Sequence, residues 1–355
     1  MISDRLLTMV RCPECRGTLG RKAPRQGQGP SADVFRCNGC GREYSASGTD
    51  YLDMRPSEQF AEQTKYLDEA LHADARHERV SPPLLGSRIR NDMLRRFLEL
   101  KPDDLAVDLG CGSGRALLWN RDRSATTVGI DISPFFSMDA RRDVDLLLGD
   151  LRRLPFADGT FTKAWSLDVL EHLSPEALRA MLKEAGRVLK PGGGMFVYTH
   201  VRKNAPIAAG LRWINALARQ LERAGLIDMR QERLRKSDHL NPLKDIPELE
   251  SVVREAGFRI GKIRYYTPIV GGFVENILMR MAERAMARRA GRNLSPGADR
   301  DALAIREART AAKARIEQSR TTYGALRALS FAMKLDVLLF GRVRSGPFFA
   351  LLVKE

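Results

Sequence analysis

Short apolar runs and helical stretches follow one another by turns through the middle of the chain. Segments that predict strands occur at five places, residues 105–109, 127–130, 143–148, 161–167 and 195–200, and the first is a compact apolar run broken only by Asp108. The intervening stretches favour helices, and Ser133-Pro134 and Ser174-Pro175 have the residue types of helix N-termini. A regular alternation of strand and helix predicts an α/β fold, in which helices cover both faces of a parallel sheet.

After residue 200 the pattern changes to longer helices. Residues 207–226 and 246–256 predict amphipathic helices, and residues 258–267 and 346–355 predict two more strands. The segment between these strands, residues 268–345, is far longer than a hairpin loop. We therefore predict a helical insertion before the final strand.

Two predicted helices of this insertion differ in pattern. Residues 273–289 form an apolar line opposite three cationic side chains, Arg280, Arg284 and Arg288. Such a helix favours the interface between a membrane and water. Residues 323–343 are apolar nearly all round, with Lys334 and Asp336 as interruptions, so we expect this helix to lie flat or to pack against the core.

The stretch VDLGCGSG at residues 107–114 carries the strongest chemical signal. Gly110, Gly112 and Gly114 follow the first strand, and glycine allows positive φ and a close approach of the backbone to a ligand. The next strand ends at Asp131, where a carboxylate can accept hydrogen bonds from a ribose diol. Ligands of parallel sheets bind at the carboxyl ends of the strands. Three further residues are predicted at that edge: Asp150, Asp168 and His200.

The chain resembles class I S-adenosylmethionine-dependent methyltransferases of the type 11-like group in four ordered segments, VDLGCGSG, GIDIS, GDLRRLPFADGTFTKAWSLDVLEHL and VLKPGGGMFVY. The resemblance covers about residues 92–200 and continues more loosely beyond them. It implies a Rossmann-like doubly wound sheet of seven strands, the last of them antiparallel. It also implies S-adenosylmethionine, in preference to NAD, and an enzyme that transfers a methyl group by in-line displacement.

The resemblance also implies roles for individual residues in holding the cofactor. Asp108 would balance the ammonium of the methionine moiety, and Asp131 would accept from both ribose hydroxyls. Asp150 would accept from the adenine amino group, the Leu151 N–H would donate to a ring nitrogen, and Ile132 would offer an apolar face. Cys111 is expected to be a small buried residue and not a nucleophile. The predicted cofactor-binding set is Asp108, Gly110, Cys111, Gly112, Gly114, Asp131, Ile132, Asp150, Leu151 and Asp168.

A general base is needed only if the methyl acceptor must lose a proton. The catalytic candidates near the predicted pocket are His172, in the segment Leu-Glu-His-Leu, and His200, after the fifth strand. His239 lies in a loop that could reach the same pocket. The residue pattern does not choose between these histidines.

Two C-x-x-C pairs at the N-terminus predict a metal site. Cys12, Cys15, Cys37 and Cys40 have nearly the spacing of a closed four-thiolate zinc site, which is structural because it has no open position. Two disulfides are the alternative, although the first 20 residues do not resemble a secretion signal. The segment resembles the zinc ribbons fused to, or partnered with, methyltransferases. We expect Cys12→Ser to destabilise this segment and leave cofactor binding largely intact.

Composition and charge divide the chain further. It has 355 residues and a net charge of +15, of which roughly +14 lies between Arg202 and Arg344. A basic half favours a polyanionic partner, and no apolar run approaches the length of a membrane span. We predict the following domains: 1–56, zinc ribbon; 57–91, helical linker or cap; 92–271, methyltransferase core; 272–345, basic helical insertion; 346–355, final core strand.

Three functions remain open, and fold alone does not choose among them. The first is methylation of a small-molecule or lipid-like acceptor at an anionic membrane surface, by a cytoplasmic enzyme on the inner face of that membrane. The second is methylation of ribosomal or transfer RNA, since rRNA guanine methyltransferases share the zinc-then-methyltransferase order; few aromatics alternate with Arg or Lys, which argues against it. The third is a non-catalytic scaffold that binds S-adenosylmethionine. DNA is not expected as a partner.

Overall fold

The computed structural model describes residues 2–22, 33–47, 50–56, 80–201, 209–227, 239–240, 242–266, 269–282, 284–285, 319–344 and 346–355. Of the predicted linker at 57–91, only residues 80–91 belong to these ranges. Residues 286–318 of the predicted insertion, with Arg288, lie outside them.

The strands of the described residues form one sheet of eleven, in the order β1-β2-β3-β4-β7-β6-β5-β8-β9-β11-β10. Their bounds are β1 (Leu19–Arg21), β2 (Val34–Cys37), β3 (Glu43–Ser47), β4 (Tyr51–Asp53), β5 (Leu105–Leu109), β6 (Thr126–Asp131), β7 (Asp145–Leu148), β8 (Phe161–Leu167), β9 (Leu189–His200), β10 (Phe258–Tyr265) and β11 (Pro347–Lys354).

The central seven strands, β5 to β11, have the predicted topology. β5 pairs in parallel with both β6 and β8, and β9 extends the parallel part beside β8. β11 lies antiparallel between β9 and β10, with Phe349 opposite Tyr198 on one side and Arg264 on the other. The α/β, Rossmann-like doubly wound sheet with an antiparallel last strand is therefore confirmed.

β9 is longer than the sequence predicted. Lys190 to Gly194 have the composition of a turn after a helix, yet they belong to the strand. The reason is pairing, because Leu189 is opposite Phe161 of β8 and Gly194 is opposite Val353 of β11. Hydrogen bonds to neighbouring strands override the turn preference of this Gly-rich segment.

The N-terminal strands continue the same sheet, which the sequence did not predict. β4 pairs in parallel with β7, placing Leu52 opposite Leu147, and it also pairs antiparallel with β3. A second contact joins Val10 to Phe156 in an antiparallel bridge. The N–H of Arg11 donates to the Pro155 carbonyl at 2.9 Å. These strands cover an edge that would otherwise leave backbone groups of β7 unpaired.

The helices are α1 (Asp4–Met9), α2 (Leu85–Leu98), α3 (Arg115–Asn120), α4 (Met138–Asp143), α5 (Pro175–Val188), α6 (Ala209–Arg223), α7 (Ile246–Glu255), α8 (Val270–Phe273) and α9 (Arg320–Phe340). Short 3-10 helices span Arg121–Arg123 and Leu170–His172, and a π-helical turn, Val274–Leu278, continues α8.

One predicted helix start is confirmed and one is wrong. The Ser174 hydroxyl accepts the Ala177 N–H, and Pro175 is the first residue of α5. The helix predicted at Ser133 instead begins at Met138. The Ser133 N–H donates to the Asp131 carboxylate at 3.0 Å, which fixes this residue in the turn after β6.

Two hydrophobic clusters pack on opposite faces of the sheet. One contains Met181 of α5 and runs without a break into the N-terminal strands, where it includes Phe35 and Leu52. The other places Phe97 of α2 against Phe196 and also includes Met333 of α9. The two faces are thus both covered, and the first core is shared with the N-terminal region. The domain boundaries at 56, 91, 271 and 345 remain predictions.

Three charged residues of the C-terminal helices, Lys334, Asp336 and Arg280, contact the rest of the protein or are buried. The Lys334 ammonium donates to the Asp92 carboxylate of α2 at 2.7 Å. Buried Asp336 accepts three N–H groups at the start of α8, and the nearest, from Val270, is 2.9 Å away. Arg280, which the pattern predicted on a cationic outer face, is buried instead. None of the described helices combines the length and the apolar content needed to span a membrane.

Candidate functional site

The glycine turn after β5 combines positive backbone angles with two kinds of contact. Gly110, Gly112 and Gly114 have φ values of 82°, 52° and 80°. A Cβ on Gly110 would collide with Val169, and a Cβ on Gly114 would lie 2.5 Å from the Ala140 Cβ. A Cβ on Gly112 would meet nothing within 4 Å. The outer two glycines therefore allow close packing, while Gly112 presents its backbone to open space in which a ligand can bind.

Asp131 ties the end of β6 to this turn. Its Oδ2 accepts the Gly112 N–H at 2.7 Å, and its Oδ1 accepts the Ser133 N–H at 3.0 Å. Burial raises the pKa of the Asp131 carboxyl, although these backbone N–H groups act in the opposite direction. Asp131 is thus held where a diol could reach it, beside the open position at Gly112.

Asp108 and Cys111 are buried beneath the turn. Burial raises the pKa of the Asp108 carboxyl from 3.8 to about 8, and the negative charge of Asp131 adds to the effect. A buried carboxyl of this kind favours a cationic partner, which would restore its ionised form. Burial also raises the pKa of the Cys111 thiol well above its ordinary value. Cys111 is therefore a poor nucleophile at neutral pH.

The residues predicted to hold an adenine lie after β6 and β7. Asp150 is buried, and its Oδ1 accepts the Arg152 N–H at 2.9 Å. The Arg152 guanidinium also pairs with the Asp150 Oδ2 at 3.0 Å. Ile132 and Leu151 are both half-buried next to these strand ends. The N-terminal region also contacts the end of β7, since the Met54 N–H donates to the Leu148 carbonyl at 2.8 Å.

A polar wall stands over the carboxyl ends of β8, β9 and β10. Asp168 has a positive φ of 56°, and its Oδ2 lies 3.7 Å from the Arg90 guanidinium of α2. That guanidinium also covers the Tyr198 ring at 5.4 Å. The Tyr266 hydroxyl donates to the Glu275 carboxylate of the π-helical turn at 2.6 Å. This wall joins α2 and the π-helical turn to the carboxyl-end edge of the sheet.

Three histidines and one glutamate meet beside this wall. Glu171 has only 1% of its side chain exposed, and its Oε2 accepts the Thr199 hydroxyl at 2.9 Å. The His200 Nδ1 lies 3.4 Å from the Glu171 Oε1. The His172 and His239 ring centroids are 4.6 Å apart, and those of His200 and His239 are 6.0 Å apart. The predicted candidates His172 and His200 are thus brought together, and His239 joins them.

Sequence reasoning missed Glu171 and the wall residues Arg90, Tyr198, Tyr266 and Glu275. Glu171 is next to His172 in the segment DVLEHL, which belongs to the family resemblance. Its position beside a catalytic candidate could have drawn attention to it. Arg90, Tyr198 and Glu275 gave no such signal. They lie far apart in the chain, and they are brought together by the packing of α2 on β9 and by the hydrogen bond from Tyr266 to Glu275.

The four N-terminal cysteines meet at one point. Their Sγ atoms all lie within 4.8 Å of one another, with Cys12 to Cys40 at 3.7 Å and Cys15 to Cys37 at 3.4 Å. Four sulfurs held at about 2.3 Å by one tetrahedral ion are about 3.8 Å apart. A disulfide bond of about 2.05 Å is excluded at these distances, and all five cysteines are free. The donor set therefore fits one soft divalent ion.

Comparisons with known proteins find similarity in the central region. The model of the family described as a methyltransferase domain matches residues 107–197. The human protein named "Probable tRNA methyltransferase 9B" is 37% identical over 108 residues, which are 30% of this chain and 23% of that protein. A sterol 4-C-methyltransferase of Caenorhabditis elegans is 32% identical over 116 residues, which are 30% of this chain and 34% of that enzyme. The chain thus spans about a quarter to a third of these relatives.

Solved structures align with the chain at low sequence identity. Phosphoethanolamine N-methyltransferase 2 of Haemonchus contortus, solved in complex with S-adenosyl-L-methionine, aligns with a TM-score of 0.45 and 17% identity. The alignment covers 76% of this chain and 53% of that chain.

Proposed function

We propose that the whole protein methylates a lipid-like acceptor at an anionic membrane surface. The reason to expect methyl transfer is that the central domain of the chain is a class I S-adenosylmethionine-dependent methyltransferase domain. The cofactor part of this proposal rests on the glycine turn and its carboxylates. The acceptor part rests on a single observation, the apolar outer face of the C-terminal helices.

The residues of the turn fit S-adenosylmethionine, which supplies an electrophilic methyl group on a sulfonium. Open space above Gly112 leaves room for the methionine moiety, and ionised Asp108 would balance its ammonium. Asp131 would accept from the ribose hydroxyls, and Asp150 with Leu151 would face the adenine. The assignment of these contacts comes from the family resemblance, and the buried carboxylates support it.

The chain has mainly to align the acceptor with the methyl group and to exclude water. Effective molarity gained by such alignment can supply much of the acceleration of a displacement reaction. The wall made by Arg90, Asp168 and Tyr198 stands where it would orient the acceptor. The π-helical turn after α8, bonded to the wall through Glu275, would shield that side from solvent.

The C-terminal helices expose an unusual amount of apolar surface. Of the fourteen large apolar residues that are exposed in the described ranges, thirteen lie between Trp213 and Phe340. On α9, Lys334 and Asp336 face the protein, so the outer face is left apolar. It carries Phe331, Leu335, Leu338 and Leu339, of which Phe331 is 67% exposed. An exposed apolar patch of this kind marks an interaction surface.

Positive charge around this surface favours an anionic membrane as its partner. Six exposed arginines lie on or next to α6 and α9: Arg212, Arg219, Arg223, Arg320, Arg327 and Arg342. Each cation close to an anionic leaflet adds about 1 kcal/mol of attraction. Apolar insertion and charge together suit an interfacial protein that binds reversibly.

Flotation with lipid vesicles tests the membrane proposal. We expect the protein to float with vesicles that contain phosphatidylglycerol at low salt, and to methylate a lipid extract with labelled S-adenosylmethionine. The double variant Phe331→Ser/Leu339→Ser should bind vesicles at least about tenfold more weakly, because each buried apolar side chain contributes about 1.5–3 kcal/mol. Met138→Ser is the matched control, since Met138 is 56% exposed on α4, outside the C-terminal helices.

RNA is the second candidate, and the name of the human relative favours it. The same basic surface could bind phosphates, and RNA binding would then fall steeply as salt rises. If the protein stays at the bottom of the gradient and binds structured RNA in this way, the membrane proposal is wrong. Cofactor binding without methyl transfer to either extract would favour the scaffold.

We also propose that the four N-terminal cysteines hold one structural zinc ion. The sulfur distances support this ion, and the Gly39 N–H donates to the Cys37 Sγ at 3.3 Å, which stabilises a thiolate. The Tyr44 hydroxyl lies 2.9 Å from the Cys12 Sγ. Polar contacts of this kind orient metal ligands from outside the first coordination shell.

A further inference from the structure

We infer that Glu171, His172 and His239 form a second divalent-cation site, which binds a hydroxyl oxygen of the methyl acceptor. The cation site stands on the geometry of these residues. Its role in holding an acceptor rests on the proposed methyltransferase function. The site is distinct from the cysteine cluster in both place and donor chemistry.

The three side chains already converge on one point. One ligand atom from each of Glu171, His172 and His239 lies within 4.8 Å of the other two. Nitrogen and oxygen ligands at about 2.1 Å from one ion lie roughly 3 to 4 Å apart. Binding of one ion would therefore require the two half-buried histidines to bring these atoms closer by up to about 1–2 Å.

The carboxylate is oriented by its neighbours. Glu171 is buried, its Oε2 accepts the Thr199 hydroxyl at 2.9 Å, and its Oε1 faces the His200 Nδ1 at 3.4 Å. Contacts that fix a carboxylate from outside the coordination shell are typical of metal sites. A buried carboxylate otherwise needs a compensating positive charge, and a divalent cation supplies it.

The donor set selects the type of cation. Two imidazoles and one carboxylate suit Mn²⁺, Co²⁺, Fe²⁺ or Zn²⁺ better than Ca²⁺ or Mg²⁺, which prefer oxygen ligands. Three protein ligands leave coordination positions open for a bound molecule, whereas the four-cysteine site is closed.

The site lies beside the cofactor turn. Glu171 and His172 follow Val169, the side chain that packs against Gly110 of that turn. They belong to the 3-10 helix Leu170–His172 at the carboxyl end of β8, adjacent to the polar wall. An oxygen bound to the cation would therefore be near the transferred methyl group. A cation polarises the oxygen that it binds and lowers the pKa of a bound hydroxyl, so the acceptor class is a hydroxyl compound. Its proton would pass to solvent, its oxygen would bond to the methyl carbon, and the bond from that carbon to the sulfonium would break, leaving the neutral thioether of the cofactor.

Binding of Mn²⁺ to the zinc-loaded full-length protein tests the site directly. We expect electron paramagnetic resonance and calorimetry to report one Mn²⁺ per chain in addition to the zinc. His239→Ala should weaken this binding at least tenfold, as loss of one ligand removes a large share of the affinity. Asp122→Asn is the control, because Asp122 is a highly exposed carboxylate on the 3-10 helix Arg121–Arg123.

A second variant guards against a folding artefact. Glu171→Gln removes the charge but keeps the shape of a buried side chain, and it should also weaken Mn²⁺ binding while S-adenosylmethionine still binds. No Mn²⁺ bound to folded wild-type protein, or equal affinity in wild type and His239→Ala, would overturn the inference. Mn²⁺ bound without any methyl transfer would leave the cation site standing and count against the proposed function. Methyl transfer to a hydroxyl acceptor that persists after Mn²⁺ is removed would overturn the role in acceptor binding.

Discussion

The N-terminal region, residues 2–56, and the C-terminal helices α6, α8 and α9 are both additions to the central domain, but they meet it in opposite ways. The N-terminal strands join the central sheet through β4 and β7 and share its hydrophobic core. The C-terminal helices bury Asp336 and Arg280, pair Lys334 with Asp92, and leave large apolar side chains and several arginines outside. The first arrangement makes a region part of the folding unit, whereas the second leaves an apolar surface to which we propose that a membrane binds.

The largest expected effect concerns the metal cluster. Cys40 is exposed, so without a bound ion Cys40→Ser would change stability by no more than about 0.5 kcal/mol. With a structural ion we expect a loss of more than about 4 kcal/mol in the free energy of unfolding, measured by denaturant titration. A chelator should lower wild-type stability to that of the variant. Identical stabilities of wild type and variant before chelation would contradict the zinc proposal.

Because the N-terminal strands are paired with the central sheet, the effect of Cys40→Ser should extend to the cofactor site. From sequence, cofactor binding was expected to survive damage to the cysteine cluster. β4 is paired with β7, and Asp150 follows β7. We therefore expect Cys40→Ser to weaken S-adenosylmethionine binding as well.

The same substitution, leucine to alanine, can be made in both regions and its effect on stability compared. Leu52 in β4 is fully buried, and Leu339 in α9 is 64% exposed. We expect Leu52→Ala to cost about 2–5 kcal/mol of stability, and Leu339→Ala to stay within about 0.5 kcal/mol. Thermal and denaturant unfolding measure both values. Similar costs at the two positions would mean that the outer face of α9 is covered in the folded protein.

Local patterns in the sequence predicted the central strands well. The bounds of β5 and β8 agree with the strands predicted at 105–109 and 161–167, and β5 is apolar except for Asp108, as a strand buried on both faces tends to be. β4 has only three residues, Tyr51–Asp53, and its partner β7 lies far along the chain. Pairing over such a separation leaves no periodic trace, so the continuous sheet could not be predicted.

The same limit applies to charged residues in apolar helices. Lys334 and Asp336 were interpreted as interruptions of an apolar helix, but each has a partner on another element, Asp92 of α2 and the start of α8. Arg280 was placed on a cationic face and is buried. Periodicity finds the two sides of a helix, and tertiary partners decide which side faces the core.

The last expected effect is a pH dependence at Asp108, in the central domain that both regions adjoin. In the cofactor-free protein its pKa is about 8, above the ordinary value of 3.8. A carboxyl whose folded pKa is raised contributes stability that is complete below about pH 4 and is lost as the pH rises towards 8. Asp108→Asn should remove this slope from a plot of unfolding free energy against pH, because the amide does not titrate.

Cofactor binding should show the opposite trend. An ammonium beside Asp108 favours its ionised form, so binding releases a proton, and affinity should rise about tenfold between pH 6 and pH 7. Both values lie below the pKa of the cofactor's own amino group, about 7.7–8.0, so that group stays charged. Calorimetry in buffers of different ionisation enthalpy would count the released proton. Equal affinities at the two pH values would show that Asp108 does not balance the ammonium, whereas a slope that also persists in Asp108→Asn would assign the proton to another group.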